Sequence, residues 1–208
     1  MTRIDYAMDG ANEVVPGLWV GSRPEGVDFK ALGFDFVMLC ESANDFNPND
    51  VHDHTTPTRR SIGITLGDVY FRPCPFEDRP LTAEELHRVE IAALAVRYAV
   101  ETARCPVDND GVEIRPGNVL VACYGGLNRS GLVAALALKH LGHAPEDAIR
   151  LVKKARDESG FGRAYGGALN NLAFCEYIRG ENLPTDDALP PPPAVTADAP
   201  PPPRLEQG

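Results

Sequence analysis

"NVLVACYGGLNRSGLVAALALKHLG", residues 118–142, changes character twice along its length. Val119 to Ala122 are apolar without a break and read as a strand with no wet face. Cys123 closes that strand, "YGGLN" turns, and Arg129 and Ser130 begin a helix that runs through Leu132 to Leu141 and stops at Gly142. Glycines at 125, 126 and 131 let backbone N–H groups turn inward toward the helix N-terminus, which makes a cradle for an anion. Arg129 adds a fork able to grip two oxygens of a phosphoryl group. A thiol at the floor of that cradle meets the same donors, the helix end and the Arg129 charge, all of which favour the thiolate. Cys123 is therefore the candidate nucleophile, the segment Tyr124, Gly125, Gly126, Leu127, Asn128 and Arg129 the candidate phosphate loop, and Ser130 a donor to the sulfur as it departs from a phosphocysteine.

Outward from this unit, short apolar runs alternate with helical periodicity. Leu18 to Val20, Phe34 to Cys40 and Val69 to Phe71 read as further buried strands. "TAEE" from Thr82 is a capping-box signature, followed at helical spacing by Leu86, Val89, Ala93, Val96 and Val100. Pro145 starts another helix through Arg156, and Leu169 to Ile178 gives a last one stopped by Gly180. This alternation predicts an α/β domain over residues 1–183, with a central, mostly parallel sheet of about four to five strands flanked by helices. From Pro184 the chain reads "PTDDALPPPPAVTADAPPPPRLEQG", with almost nothing large and apolar to bury. Residues 184–208 are thus expected to be a disordered, proline-rich tail, a spacer or a ligand for a proline-reading module.

The net charge of −10 argues against a general affinity for nucleic acid or anionic membrane, since both would repel it. Any phosphate must then be bound locally. No apolar run approaches the roughly 18–20 residues of a membrane span. "MTRIDYAMDGANE" has no signal-peptide core, so the expected location is cytoplasmic. The five cysteines, Cys40, Cys74, Cys105, Cys123 and Cys175, include no CxxC pair, which suggests reduced thiols and neither a disulfide framework nor a zinc site.

"CYGGLNRSG" matches the Cys-x5-Arg-Ser/Thr signature of the cysteine-based protein tyrosine phosphatase superfamily, and the layout resembles its compact dual-specificity branch. The likeness extends over roughly residues 13 to 180. "VVPGLWVGSRPEGVDFKALGFDFVMLC" resembles the opening strand and first helix-strand unit, "PFEDRPLTAEELHRV" the acid loop and the helix after it, and "HAPEDAIRLVKKARDE" the penultimate helix. The resemblance implies a two-step, cofactor-free and metal-free hydrolysis of phosphotyrosine, with or without phosphoserine and phosphothreonine, in a phosphorylated protein or peptide. Cys123 attacks phosphorus, an aspartic acid protonates the leaving oxygen, and water releases phosphate. Asp78 is the candidate acid by its place in "PCPFEDRP", with Glu77 its rival. "CPVDNDGVEIRPG" lengthens the stretch between Asp78 and Cys123 relative to compact members.

One departure stands beside the nucleophile: Ala122 occupies the position where the family commonly has histidine. The loop lacks the lysines typical of phosphoinositide phosphatases. "NRSG" also resembles the RNA 5′-triphosphatases of capping enzymes, an alternative that the acidic charge weakens, and a phosphate-binding module without turnover is another. His52 and His54 around Asp53, the pair Arg59 and Arg60, and "DND" at 108–110 read as solvated surface rather than ligand sites. Cys40 and Cys74 read as buried structural thiols, or as partners able to trap Cys123 under oxidation. Asn170 and Asn171 either cap the last helix or brace the phosphate loop.

Overall fold

The computed structural model describes residues 10–22, 29, 32–41, 64–66, 69–104, 118–157, 162, 164 and 166–184. In chain order the elements are β1 (Ala11–Val15), β2 (Leu18–Ser22), β3 (Phe34–Leu39), β4 (Ile64–Leu66), β5 (Val69–Pro73), α1 (Ala83–Arg104), β6 (Asn118–Cys123), α2 (Arg129–His140), α3 (Pro145–Asp157) and α4 (Leu172–Arg179). The four strands expected from apolar runs lie side by side as β2-β6-β3-β5, all parallel. Two short strands extend the sheet at its edges, β1 antiparallel to β2 and β4 antiparallel to β5, so that it has six strands rather than four or five. β1 escapes a search for apolar runs because much of its surface stays wet. β1 carries only one fully buried residue, Ala11, and joins β2 through the Pro16–Gly17 turn, where Gly17 N–H donates to Glu13 Oε1 at 2.9 Å. That Pro-Gly pair between apolar residues was its one signal in sequence.

Alternation along β6 divides the core. Val119, Val121 and Cys123 join Leu18, Val20 and Met38 in the larger cluster, while Leu120 and Ala122 join Val37 and Leu39 in a smaller one with Phe29 and Phe34. Every buried hydrophobic residue of the described helices belongs to the larger cluster, so these helices cover one face of the sheet. α2 is buried continuously from Ser130 to Leu138 and lies between its neighbours. Truncating Leu132 or Leu136 to alanine would cost about 2–5 kcal/mol, because no solvent can fill the space.

The capping box forms as expected. Thr82 Oγ1 accepts the Glu85 N–H at 3.2 Å, and Glu85 Oε2 accepts the Thr82 N–H at 3.0 Å. Arg79 adds two bonds to the same carboxylate, at 3.0 and 3.1 Å. Burial pushes the Glu85 carboxyl up, but the Thr82 and Arg79 contacts outweigh it and hold it below the usual carboxylate range.

The last helix begins at Leu172, three residues later than its periodicity suggests. Leu169 is buried with φ 51° and donates its N–H to Leu127 O at 3.4 Å, so this stretch is spent on the phosphate loop before the helix can start. Gly180, in the left-handed conformation, ends α4 as anticipated. The tail from residue 185, His52, Asp53, His54, Arg59, Arg60, Cys105 and residues 108–110 lie outside the described residues. Among the described residues no helix is long and apolar enough to cross a membrane.

Candidate active site

β6 delivers Cys123 to the C-terminal edge of the parallel strands, and α2 begins six residues later at Arg129. Ligand sites in open parallel sheets favour that edge. Cys123 is buried, and its Sγ accepts the N–H of Gly126 at 3.1 Å and lies 3.2 Å from Ser130 Oγ. Gly126 is required twice over. Its φ is +65°, and a Cβ there would fall 2.3 Å from the Gly21 carbonyl carbon and 2.4 Å from Ser22 N, both backbone atoms of β2. Of the three glycines expected to turn N–H groups inward, only Gly126 has positive φ. Gly131 serves packing instead: a Cβ would meet Leu169 at 3.1 Å, so its absence lets α2 approach the residues before α4.

A cleft of about 220 Å³ opens above the thiol, lined by Cys123, Tyr124, Gly125, Leu127, Asn128, Arg129, Asp78 and Asn170. Every residue expected in the loop lines it except Gly126, which supports the sulfur from beneath. Among the described residues Arg129 is the one basic side chain in the lining, and Tyr124 stands exposed at the rim. Asp78 reaches the cleft, whereas Glu77 does not line it.

Asp78 is held there by amides. Its Oδ2 accepts from Asn128 Nδ2 and its Oδ1 from Asn171 Nδ2, each at 2.9 Å. Asn128 also donates to Asn170 Oδ1 at 2.7 Å, while its own Oδ1 accepts the N–H groups of Asn170 at 2.9 Å and Asn171 at 3.4 Å. One asparagine thereby ties three segments together. Asn171 occupies the N-cap of α4 without a side-chain cap bond; its side chain holds Asp78 and its backbone N–H reaches Asn128 of the loop.

Sequence reasoning missed Arg156. This fully buried guanidinium donates from Nε to Gly126 O at 2.9 Å, from Nη1 to Asn12 Oδ1 at 2.6 Å and from Nη2 to Gly125 O at 3.5 Å. The signal was available: Ala148, Val152 and Arg156 recur every four residues, so the arginine falls on the stripe that α3 buries. Cys40 and Cys74 are buried too. Burial pushes the Cys40 thiol well up, Cys74 and Cys123 add to this, and Arg129 opposes it. Burial likewise pushes Cys74 up to about 12, against Arg72 and Arg88. Both are neutral thiols near pH 7, as buried structural cysteines are. Ala122, fully buried in the smaller cluster, leaves no room for a histidine unless its apolar neighbours move.

By sequence, no protein-family model and no curated protein matches the chain. Solved structures do. A mouse putative dual specificity phosphatase complexed with zinc tungstate superposes with a TM-score of 0.55 at 22% identity, covering 86% of this chain and 91% of its own. Human DUSP28 gives 0.52 at 19%, covering 82% and 93%. The chain has the fold of the cysteine-based, dual-specificity-type tyrosine phosphatases. That fold also carries human tyrosine phosphatase-like serine/threonine/tyrosine-interacting protein, at a TM-score of 0.52 and 14% identity over 82% of this chain and 94% of that one. In this phosphatase fold the cleft lies at the strand-loop-helix unit of β6, Cys123 and α2.

Proposed function

We propose that the protein is a cysteine-dependent phosphatase of phosphotyrosine, with phosphoserine and phosphothreonine as further candidates, acting on a protein or peptide. The reading is carried by the placement of the Cys123 sulfur, 3.1 Å from a backbone N–H and 3.2 Å from a hydroxyl, in a cleft that Arg129 and Asp78 also line. The Cys123 thiolate attacks phosphorus, the bond to the leaving oxygen breaks, and Asp78 gives that oxygen its proton. Water then attacks the phosphocysteine, Asp78 takes back a proton, and Ser130 donates to the departing sulfur. Arg129 and the loop amides hold the equatorial oxygens as charge redistributes. Because the nucleophile is the protein's own sulfur, the chemistry calls for no cofactor. Each Asp78 oxygen accepts one asparagine N–H and keeps a second lone pair, so the amides orient the carboxyl group while one oxygen can still carry the proton to the leaving oxygen.

The substrate reading has its own support. Among the described residues Arg129 is the cation in the lining and Tyr124 an exposed aromatic at its rim, a combination suited to a phosphate on an aryl group. A solved relative in fold, P. aeruginosa TpbA in complex with pTyr, has a TM-score of 0.50 at 16% identity over 88% of this chain and 90% of its own. Hydrolysis of an aryl phosphate, inhibited by vanadate and abolished in Cys123→Ser, tests the mechanism; activity surviving in Cys123→Ser would overturn it. A second reading, a phosphate-binding module without turnover, is favoured by Ala122 in place of the histidine common beside the nucleophile. In that case vanadate or a phosphopeptide binds while no phosphate is released.

A further inference from the structure

Arg156 sits below the phosphate loop and outside the cleft, fully buried at the end of α3. Burying a guanidinium costs several kcal/mol unless its donors are satisfied, so the question is what its position accomplishes. Two of its acceptors, Gly125 O and Gly126 O, belong to consecutive peptide groups of the loop. A trans peptide unit points its C=O and its N–H in opposite directions. The carbonyl of Gly125 shares a unit with the N–H of Gly126, which is the N–H that reaches the Cys123 sulfur at 3.1 Å. The carbonyl of Gly126 shares one with the N–H of Leu127, a residue lining the cleft.

We infer that Arg156 is a positioning residue: by drawing two carbonyls of the loop down toward α3, it aims the two paired N–H groups up at the sulfur and at the bound oxyanion. Gly126 is where such an external hold matters most. Its left-handed backbone has no side chain to restrict it, so the orientation of its flanking peptides has to be imposed by neighbours. Asn12 holds the other arm of the fork at 2.6 Å, which anchors the guanidinium to the edge strand β1 and fixes the direction in which it pulls. The positive charge, buried beneath the loop, also favours an anion above it. Lysine could supply that charge but not the two-pronged grip on successive carbonyls.

The inference rests on the proposed reading of the loop as an oxyanion cradle, and the test separates the two. Vanadate affinity and thermal unfolding are measured for the full chain and for Arg156→Met, Arg156→Lys and Asn12→Ala. Losing oriented amide bonds to a charged ligand should weaken vanadate binding by about tenfold or more in Arg156→Met, with Arg156→Lys recovering part of the loss. Asn12→Ala, which frees one arm of the fork, should weaken binding by about threefold while leaving the unfolding temperature nearly unchanged. In a folded Arg156→Met variant, vanadate affinity within twofold of wild type would overturn the inference. If that variant does not fold, Asn12→Ala decides: reduced affinity at unchanged stability supports the positioning role, and unchanged affinity overturns it. A wild-type protein that binds no vanadate would instead defeat the cradle reading itself, and the positioning role with it.

Discussion

The two loops that meet at the cleft are held in different ways. The phosphate loop is wedged between backbone of β2, the buried Ser130 of α2 and the buried Arg156 of α3. Phe76 and Leu81 anchor the acid loop on either side by burial and backbone bonds, but Asp78 between them is exposed and its own side chain is held by asparagine side chains, with Arg79 bonded to the cap of α1. Packed backbone cannot move without opening the core, whereas a side-chain amide exchanges partners at little cost. A rigid anion cradle and a detachable acid are what the proposed two-step chemistry asks of these two places.

This contrast is open to attack, most sharply at Gly126. Gly126→Ala should abolish vanadate binding and destabilise the fold by at least about 2 kcal/mol, since a left-handed alanine is strained and its Cβ would strike immovable backbone. Equilibrium denaturation with oxyanion titration checks this, and a stable, binding-competent variant would mean that the loop is not wedged. Asp78→Asn should leave stability and oxyanion affinity unchanged. It should slow hydrolysis of an alkyl or unactivated phenyl phosphate by about 10² to 10⁴-fold, and p-nitrophenyl phosphate far less, as loss of a general acid does. Glu77→Gln should show no dependence on the leaving group; if it did, the acid would be the neighbouring residue.

A smaller effect is expected where the acid is merely steered. Asn171→Ala removes one amide from Asp78 and should change kcat/KM for the poor leaving group by about fivefold, with no change in vanadate affinity. Equal losses for good and poor leaving groups would assign Asn171 to the cradle instead. The smallest effect lies at the far end of the acid loop. Glu85→Ala should cost about 1 kcal/mol of stability at neutral pH, through the lost capping box and Arg79 pair. Since the folded-state Glu85 carboxyl lies below its unfolded value, that stability is present above the ordinary carboxylate range and disappears as pH falls through the lower, folded value. Wild-type and variant unfolding curves should therefore converge in acid; curves that stayed equally far apart would show that the charge of Glu85 is not what stabilises α1.

Much of the cleft was legible because it is local in the chain. Strand, Cys123, turn, Arg129 and Ser130 are consecutive, so sequence spacing and helix geometry alone bring thiol, hydroxyl and helix N-terminus together. The Thr82–Glu85 box was readable for the same reason, its partners being three residues apart. The four parallel strands announced themselves as apolar runs, whereas β1 did not because it carries only one fully buried residue.

Only the tertiary structure decided which distant groups complete the site. It brought Asp78 rather than Glu77 to the lining, set Asn128 between the acid loop and the turn before α4, and spent Leu169 on that turn instead of on a helix. It also set Arg156, 30 residues beyond Gly126, under the loop. Such contacts span long stretches of chain and depend on how helices stack on a twisted sheet, which no local period encodes. Sequence by itself determined a thiol between a strand end and a helix N-terminus on an α/β scaffold, since those features follow from neighbouring residues; the direction of each amide and the reach of each carboxylate had to wait for the packing.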